Sequence, residues 1–299
     1  MMITKTISYY AELAYSVLHD ENTLQYAENK EVIKSFFSNN ILEDYLSNEN
    51  ILILKSRLTL IDSYYSTNVN NYRLFAIEDI IEGIKSIANS DYEFKEIIRY
   101  YVDCIRENDF TDEVKLGEIS YFFEKKYGID KMGNSSGHAT SLISKYCYFL
   151  TKYKFPIYDS LVKDNYNEIA MYFGISLEYC NNNFHLFDKF VSIMLVINRD
   201  INDLNKLDNL MWLFGKIRKG SFSLILSKEN YLILIDIIKS QNLEFNDKIS
   251  SKSIDEAISN FVLKQDNDLN QYQLFDKKII EFIEFVRNVT NQIDLKKVL

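Results

Sequence analysis

Proline is almost missing from this chain: one residue in 299, Pro156, accompanied by only eight glycines. Folds built from many short strands need many turns, and turns need glycine and proline. Their scarcity excludes a sandwich or barrel and predicts an all-α fold. Cysteine is also sparse. Cys104, Cys147 and Cys180 are widely spaced and form no CxxC pair, which excludes a disulfide scaffold and predicts free buried thiols in a reducing compartment. The three histidines, His19, His138 and His185, share no metal-ligand spacing, and HExxH, Walker A and GxGxxG motifs are absent. No metal and no cofactor are expected. Long apolar runs are lacking too. "FVSIMLVI" and "YLILIDII" are too short to span a bilayer, and the first residues lack the basic-then-apolar order of a signal peptide. The expected location is the cytoplasm, away from membranes. No repeat of fixed period points to a solenoid.

What is present is a large apolar content, 47% hydrophobic and 14% aromatic, enough for a substantial core. The net charge of −9 argues against indiscriminate binding to nucleic acid, whose phosphates are held mostly by Lys and Arg. The charge is uneven. Residues 1–139 hold 14 basic and 23 acidic side chains, residues 140–220 hold 10 and 8, and residues 221–299 hold 10 and 12. The middle of an acidic chain is thus slightly basic, as a local phosphate-facing surface requires.

Helix signals are legible along most of the length. Ser90-Asp91-Tyr92-Glu93 and Ser253-Ile254-Asp255-Glu256 fit the capping box, predicting helices over 91–107 and 254–264. Apolar spacing predicts others over 3–18, 23–37, 70–88, 112–127, 140–152, 160–173, 183–198, 204–215, 229–240 and 273–290. "GSFSLILS" at 220–227 reads as a strand without a partner.

The lone proline lies in "SKYCYFLTKYKFPIYDS", residues 144–160, eleven residues after Lys145 and three before Asp159. A proline fixes backbone direction. It either aims those two side chains at a common reactant or separates two helices. Lys145 sits among Leu142, Ile143, Tyr146, Cys147, Phe149 and Leu150, so it occupies a narrow remaining face of its helix. Desolvation there would favour the neutral amine, a nucleophile able to form a Schiff base; the alternative is a solvated lysine at the helix edge. Asp159 precedes "LVKDNYNEIAMYF" and reads as its N-cap, a position that keeps a carboxylate charged and suits it to steady a nearby cation.

Three further stretches carry candidates. "GIDKMGNSSG" at 128–137 is either a flexible surface connection or a source of backbone N–H groups for a phosphate, and His138 at its end is a loop histidine near the Lys145 helix. In "DSYYSTNVNNYR", Ser66, Thr67 and Asn68 are expected to cap the next helix, while Asp62, Tyr65, Asn68 and Arg73 are alternatives for a pocket lining. In "LNKLDNLMWLFGK", Leu204, Leu207, Leu210, Met211 and Phe214 form an apolar face, Gly215 is the expected stop, and Trp212 and Lys216 remain at a pocket edge.

"SLISKYCYFLTKYKFPIYDS" together with "LNKLDNLMWLFGK" and, upstream, "LIDSYYSTNV" resembles a group of bacterial proteins related to the helix-hairpin-helix DNA glycosylases of the 8-oxoguanine glycosylase fold, across residues 56–220. The resemblance implies a two-lobed all-α fold in which a lysine and an aspartate line a cleft and a flipped-out nucleotide enters it. Lys145 would attack the sugar C1′, and Asp159 would help activate it and steady the oxocarbenium charge. In that family closely spaced glycines lie two residues before the lysine; here Gly137 lies eight before Lys145, and the lysine-to-aspartate separation is shorter.

The expected organisation is an N-terminal helical segment over 1–55, a glycosylase-like core over 56–220 and a helical extension over 221–299. The expected activity is excision of a damaged or modified base from DNA, with binding that weakens as salt rises. The alternative is a non-catalytic helical module that binds nucleic acid or protein, with phage defence as one setting. A plain helical scaffold is the third reading. Neither a protein partner nor the base recognised is legible.

Overall fold

A computed structural model describes residues 6–19, 26–38, 41–69, 73–109, 111–177 and 185–219, with two isolated positions, 232 and 236. Ten helices lie among the described residues: α1 (Ile7–Leu18), α2 (Tyr26–Ser38), α3 (Asn48–Tyr64), α4 (Ala76–Ile87), α5 (Asp91–Glu107), α6 (Glu113–Glu124), α7 (Thr140–Leu150), α8 (Ser160–Tyr172), α9 (Leu186–Ile197) and α10 (Leu204–Lys219). Among these residues no strand forms, and β-pairing is confined to three isolated antiparallel bridges. The all-α expectation holds. The strand expected over 220–227, the helices over 254–264 and 273–290, and Cys180 fall outside the described residues, as does the helix expected over 229–240 apart from Leu232 and Asp236.

Three helical details differ from the sequence reading: the helix expected over 70–88 starts only at Ala76, because Leu74 pairs with Ile129 and Phe75 takes a left-handed φ of 61°. Helix α3 was not anticipated, because the run Ile51-Leu52-Ile53-Leu54 blurs any single face; only Leu54, Leu58 and Ile61 of its apolar residues are fully buried, while Leu52 is exposed. Ser47 starts it by accepting a hydrogen bond from the Asn50 N–H at 3.2 Å. Helix α10 runs past Gly215, which keeps helical geometry in a buried position, to Lys219. A glycine stops a helix only where it takes the left-handed conformation.

The chain divides into two compact units, one comprising Lys30–Asp208, the other combining Met1–Asn29 with Asn209–Leu299. In the second unit α1 begins at Thr6, whose hydroxyl caps the Tyr9 N–H, and buries Tyr10, Ala11, Ala14 and Leu18 along one face.

Within Lys30–Asp208, α7 is the central element: α3, α5 and α6 all pack on it. Nine of its eleven residues are buried, as a helix enclosed on every side requires. Its surroundings are aromatic. Phe123 stacks on Phe155 at 5.3 Å and on Phe187 at 4.2 Å, arrangements worth roughly 0.5–1.5 kcal/mol each beyond their buried area. One polar knot ties the same helices together. Asp91, at the first turn of α5, accepts hydrogen bonds from Arg57 on α3, from the Tyr45 hydroxyl at 2.9 Å and from the Tyr146 hydroxyl on α7 at 3.1 Å. Burial beside this carboxylate pushes the Tyr45 and Tyr146 hydroxyls up from their ordinary pKa.

Cys104 and Cys147 are free and buried. Burial raises the Cys147 thiol, so it packs as an inert apolar group. Among the described residues no helix is long and apolar enough to cross a membrane, and no three histidine, cysteine or carboxylate side chains cluster as metal ligands.

A buried lysine–aspartate centre

The turn after α7 explains the position of the single proline. Phe155, Pro156 and Ile157 are buried, and Phe155 is held in the aromatic stack. Ser144 then clamps the chain: its hydroxyl accepts the Tyr158 N–H at 2.9 Å and lies 3.3 Å from the Tyr158 carbonyl. Asp159, the next residue, is thereby returned alongside the middle of α7. There it caps α8, accepting from the Val162 N–H at 3.0 Å through Oδ1. Its second oxygen, Oδ2, faces Lys145 Nζ at 3.2 Å.

Lys145 is only 1% exposed. The narrow solvent face anticipated for it is closed, because the returning segment and Tyr65 cover it. Its ammonium donates to Ser141 Oγ at 2.8 Å and to Asp159, and lies 5.1 Å from the centre of the Tyr65 ring, a cation–π distance. Asp159 is less enclosed, with 19% of its side chain exposed, so the pair meets solvent from the carboxylate side.

A second buried pair lies next to the first. Lys30 on α2 is 4% exposed; its Nζ donates to Asn205 Oδ1 at 2.7 Å, sits 3.6 Å from Asp208 Oδ2 and lies over the Tyr148 and Tyr153 rings at 5.1 and 5.5 Å. Tyr148 donates to the same Asn205 oxygen. Desolvation draws the Lys30 amine below its ordinary pKa, with Asp208 opposing; desolvation raises Asp208, with Lys30 opposing and Asp159 adding to the rise. The Tyr65 hydroxyl is pushed up by burial, then by Asp208 and Asp159. Two amines and two carboxylates therefore share one poorly solvated region.

The sequence reading passed over Lys30, Asn205 and Asp208, although periodicity marks two of them. Lys30 shares a helical face with Ile33 and Phe37, and Asp208 shares one with Leu204, Leu207 and Met211. A charged residue in the middle of an apolar stripe is the available signal.

The other candidates are dispersed. Arg73 donates to the His138 carbonyl at 2.7 Å, and the exposed His138 ring meets the Glu124 carbonyl at 2.7 Å through Nδ1. Asn68 is exposed and donates to the Ser66 carbonyl. Val69, directly after Asn68, is helical, and residues 70–72 fall outside the described residues; α4 has Phe75 as its N-cap, without a side-chain cap. The turn before Val69 folds back on Asp62, which accepts from the Thr67 hydroxyl and the Val69 N–H. Trp212 and Lys216 belong to the other unit, where Lys216 Nζ lies 5.4 Å from the Trp212 ring.

The glycine loop ahead of α7 is closely tied rather than loose. Leu74 pairs with Ile129, Lys126 with His138, and Ile129 with Ser135, while the Gly128 N–H donates to Asp79 at 2.9 Å. Gly137 has φ 68° and packs against the Arg73 guanidinium, where an added Cβ would overlap it. Gly137→Ala is expected to lose about 1–3 kcal/mol, from the left-handed backbone and the displaced arginine; urea unfolding will measure it.

No family model matches the chain, and no solved structure matches it. An uncharacterized protein of Haemophilus influenzae is 25% identical over 216 residues, covering 68% of this chain and 96% of that protein.

Proposed function

We propose that the protein excises a modified base from DNA with Lys145 as nucleophile and Asp159 as its assisting carboxylate. The observation that carries this reading is the contact of Lys145 Nζ with Asp159 Oδ2 at 3.2 Å, in a position to which a buried proline turn and a serine clamp return the aspartate. A capping aspartate has no structural need to meet a buried lysine, and its pairing there gives an amine and a proton acceptor that act together.

The chemistry follows from those atoms. Transfer of an ammonium proton to Asp159 leaves a neutral amine, which forms a bond to C1′ as the bond from C1′ to the base nitrogen breaks. The electron pair departs with the base. Asp159 passes the ammonium proton to the departing base, and its restored negative charge steadies the cationic nitrogen now attached to C1′. Opening of the C1′–O4′ bond, with two protons lost from the attached nitrogen and one taken up by O4′, then gives an imine. Because Lys145 is closed off, a sugar reaches it only when the Tyr65 side or the exposed Asp159 side opens.

That closure favours a second reading, a non-catalytic interaction module in which the pair is a structural remnant. Presenting the protein with duplexes that each contain one damaged or modified base separates the two: release of a base supports excision, and the absence of release across the panel supports the module.

A further inference from the structure

The unit formed by Lys30–Asp208 carries a cleft of about 1640 Å³ lined by α5, the turn over 151–154, α9 and the approach to α10. It contains neither Lys145 nor Asp159. Its volume exceeds the roughly 300–1,000 Å³ of pockets that enclose a small ligand, so it suits an extended one. Its charge is opposite in sense to that of the chain. Arg99, Arg106, Lys152, Lys154 and Arg199 line it against three carboxylates, in a protein with 34 basic and 43 acidic residues.

Each of the three carboxylates is already engaged. Glu96 pairs with Arg99 at 3.1 Å and Asp103 with Arg106 at 2.6 Å, both along α5. Asp203 accepts the Asn205 and Lys206 N–H groups at the start of α10. Lys152 and Lys154 are exposed, and their ammonium groups pair with no carboxylate among the described residues. Lys152 and Tyr153 both take left-handed backbone conformations, with φ 54° and 68°, at positions where neither is glycine. This turn places the Tyr153 ring 5.5 Å from the Lys30 ammonium, and Tyr153 and the lysines on either side of it all line the cleft. Tyr100 adds an aromatic side chain on the α5 wall.

We infer that this cleft binds a single-stranded nucleic acid, with Lys152 and Lys154 neutralising successive backbone phosphates and Tyr100 offering a face for a base. The combination of a cationic track with an aromatic platform is the usual means of holding a strand without reading its sequence. The inference rests on the cleft's charge and shape, not on the excision chemistry, and it gives an acidic protein a confined place to meet phosphate.

The test is fluorescence anisotropy of the full chain with a labelled 12-nucleotide single strand at low salt. Wild type should bind, and the Lys152→Glu/Lys154→Glu variant should bind at least tenfold more weakly. The slope of log affinity against log salt should fall by about 1.4, the value for two phosphate contacts on a single strand. Lys152→Arg/Lys154→Arg should keep the binding. Base release by the Lys152→Glu/Lys154→Glu variant is measured beside its binding, so failure of the cleft and failure of the excision chemistry are read separately. Unchanged affinity and slope in the double-glutamate variant would overturn the proposal, as would no binding by wild type. Displacement of the strand by an equal concentration of unlabelled duplex would overturn the assignment to single strands.

Discussion

Lys145→Ala is expected to lower base release by roughly 10³-fold or more, because it removes the atom that bonds to C1′. The fold should persist: Asp159 keeps its cap on α8 through Oδ1, and that carboxylate already reaches solvent. Asp159→Asn tests the other half of the pair. Asparagine caps a helix about as well as aspartate, so the start of α8 is retained, while the negative charge facing Lys145 and the proton acceptor are lost. A decrease of about 10² to 10³-fold in rate per folded molecule is expected. Ser144→Ala, which releases the Tyr158 N–H from its clamp, should slow the reaction without removing a reacting group. A purely structural lysine predicts a different pattern, in which the variants lose stability and folded molecules show no change in rate.

The largest loss of stability should come from Lys30→Met. It leaves Asp208, 7% exposed, without the ammonium that offsets its burial, and breaking a buried pair at one end costs about 3–5 kcal/mol. Replacing both partners, as Lys30→Met with Asp208→Leu, should recover most of that loss, since exchanging a buried pair for apolar groups of similar volume is often neutral or stabilising. Chemical denaturation of the wild type, single and double variants closes this cycle; a single variant as stable as wild type would show that the pair is hydrated. The direction of the pH effect also follows. The folded pKa of Lys30 lies below its ordinary value of 10.5, so between the two values the unfolded chain binds more protons than the folded one. The Lys30 contribution to stability therefore rises with pH through that window, and Lys30→Met should abolish that rise.

The sequence revealed much of this architecture because helix ends were written locally. Ser90 accepts the Glu93 N–H at 3.1 Å, and Asp159 accepts the Val162 N–H, at the residues where caps were expected. The single proline marked the place where the chain turns back. What local patterns could not supply was tertiary pairing. Lys30 meets Asn205 and Asp208 across more than 170 residues of chain, and no spacing rule announces such a contact. Helix α3 was hidden by a run of four apolar residues with no single face, and Ser144, a small polar residue in an apolar helix, gave no sign that it would clamp Tyr158.

Borohydride reduction during reaction with DNA that contains the modified base the protein releases tests the central claim most directly. The account predicts that wild type becomes covalently joined to the strand, that peptide mapping places the link on Lys145, and that Lys145→Ala gives no adduct. Base release without any adduct, or an adduct on another lysine that survives in Lys145→Ala, would contradict it.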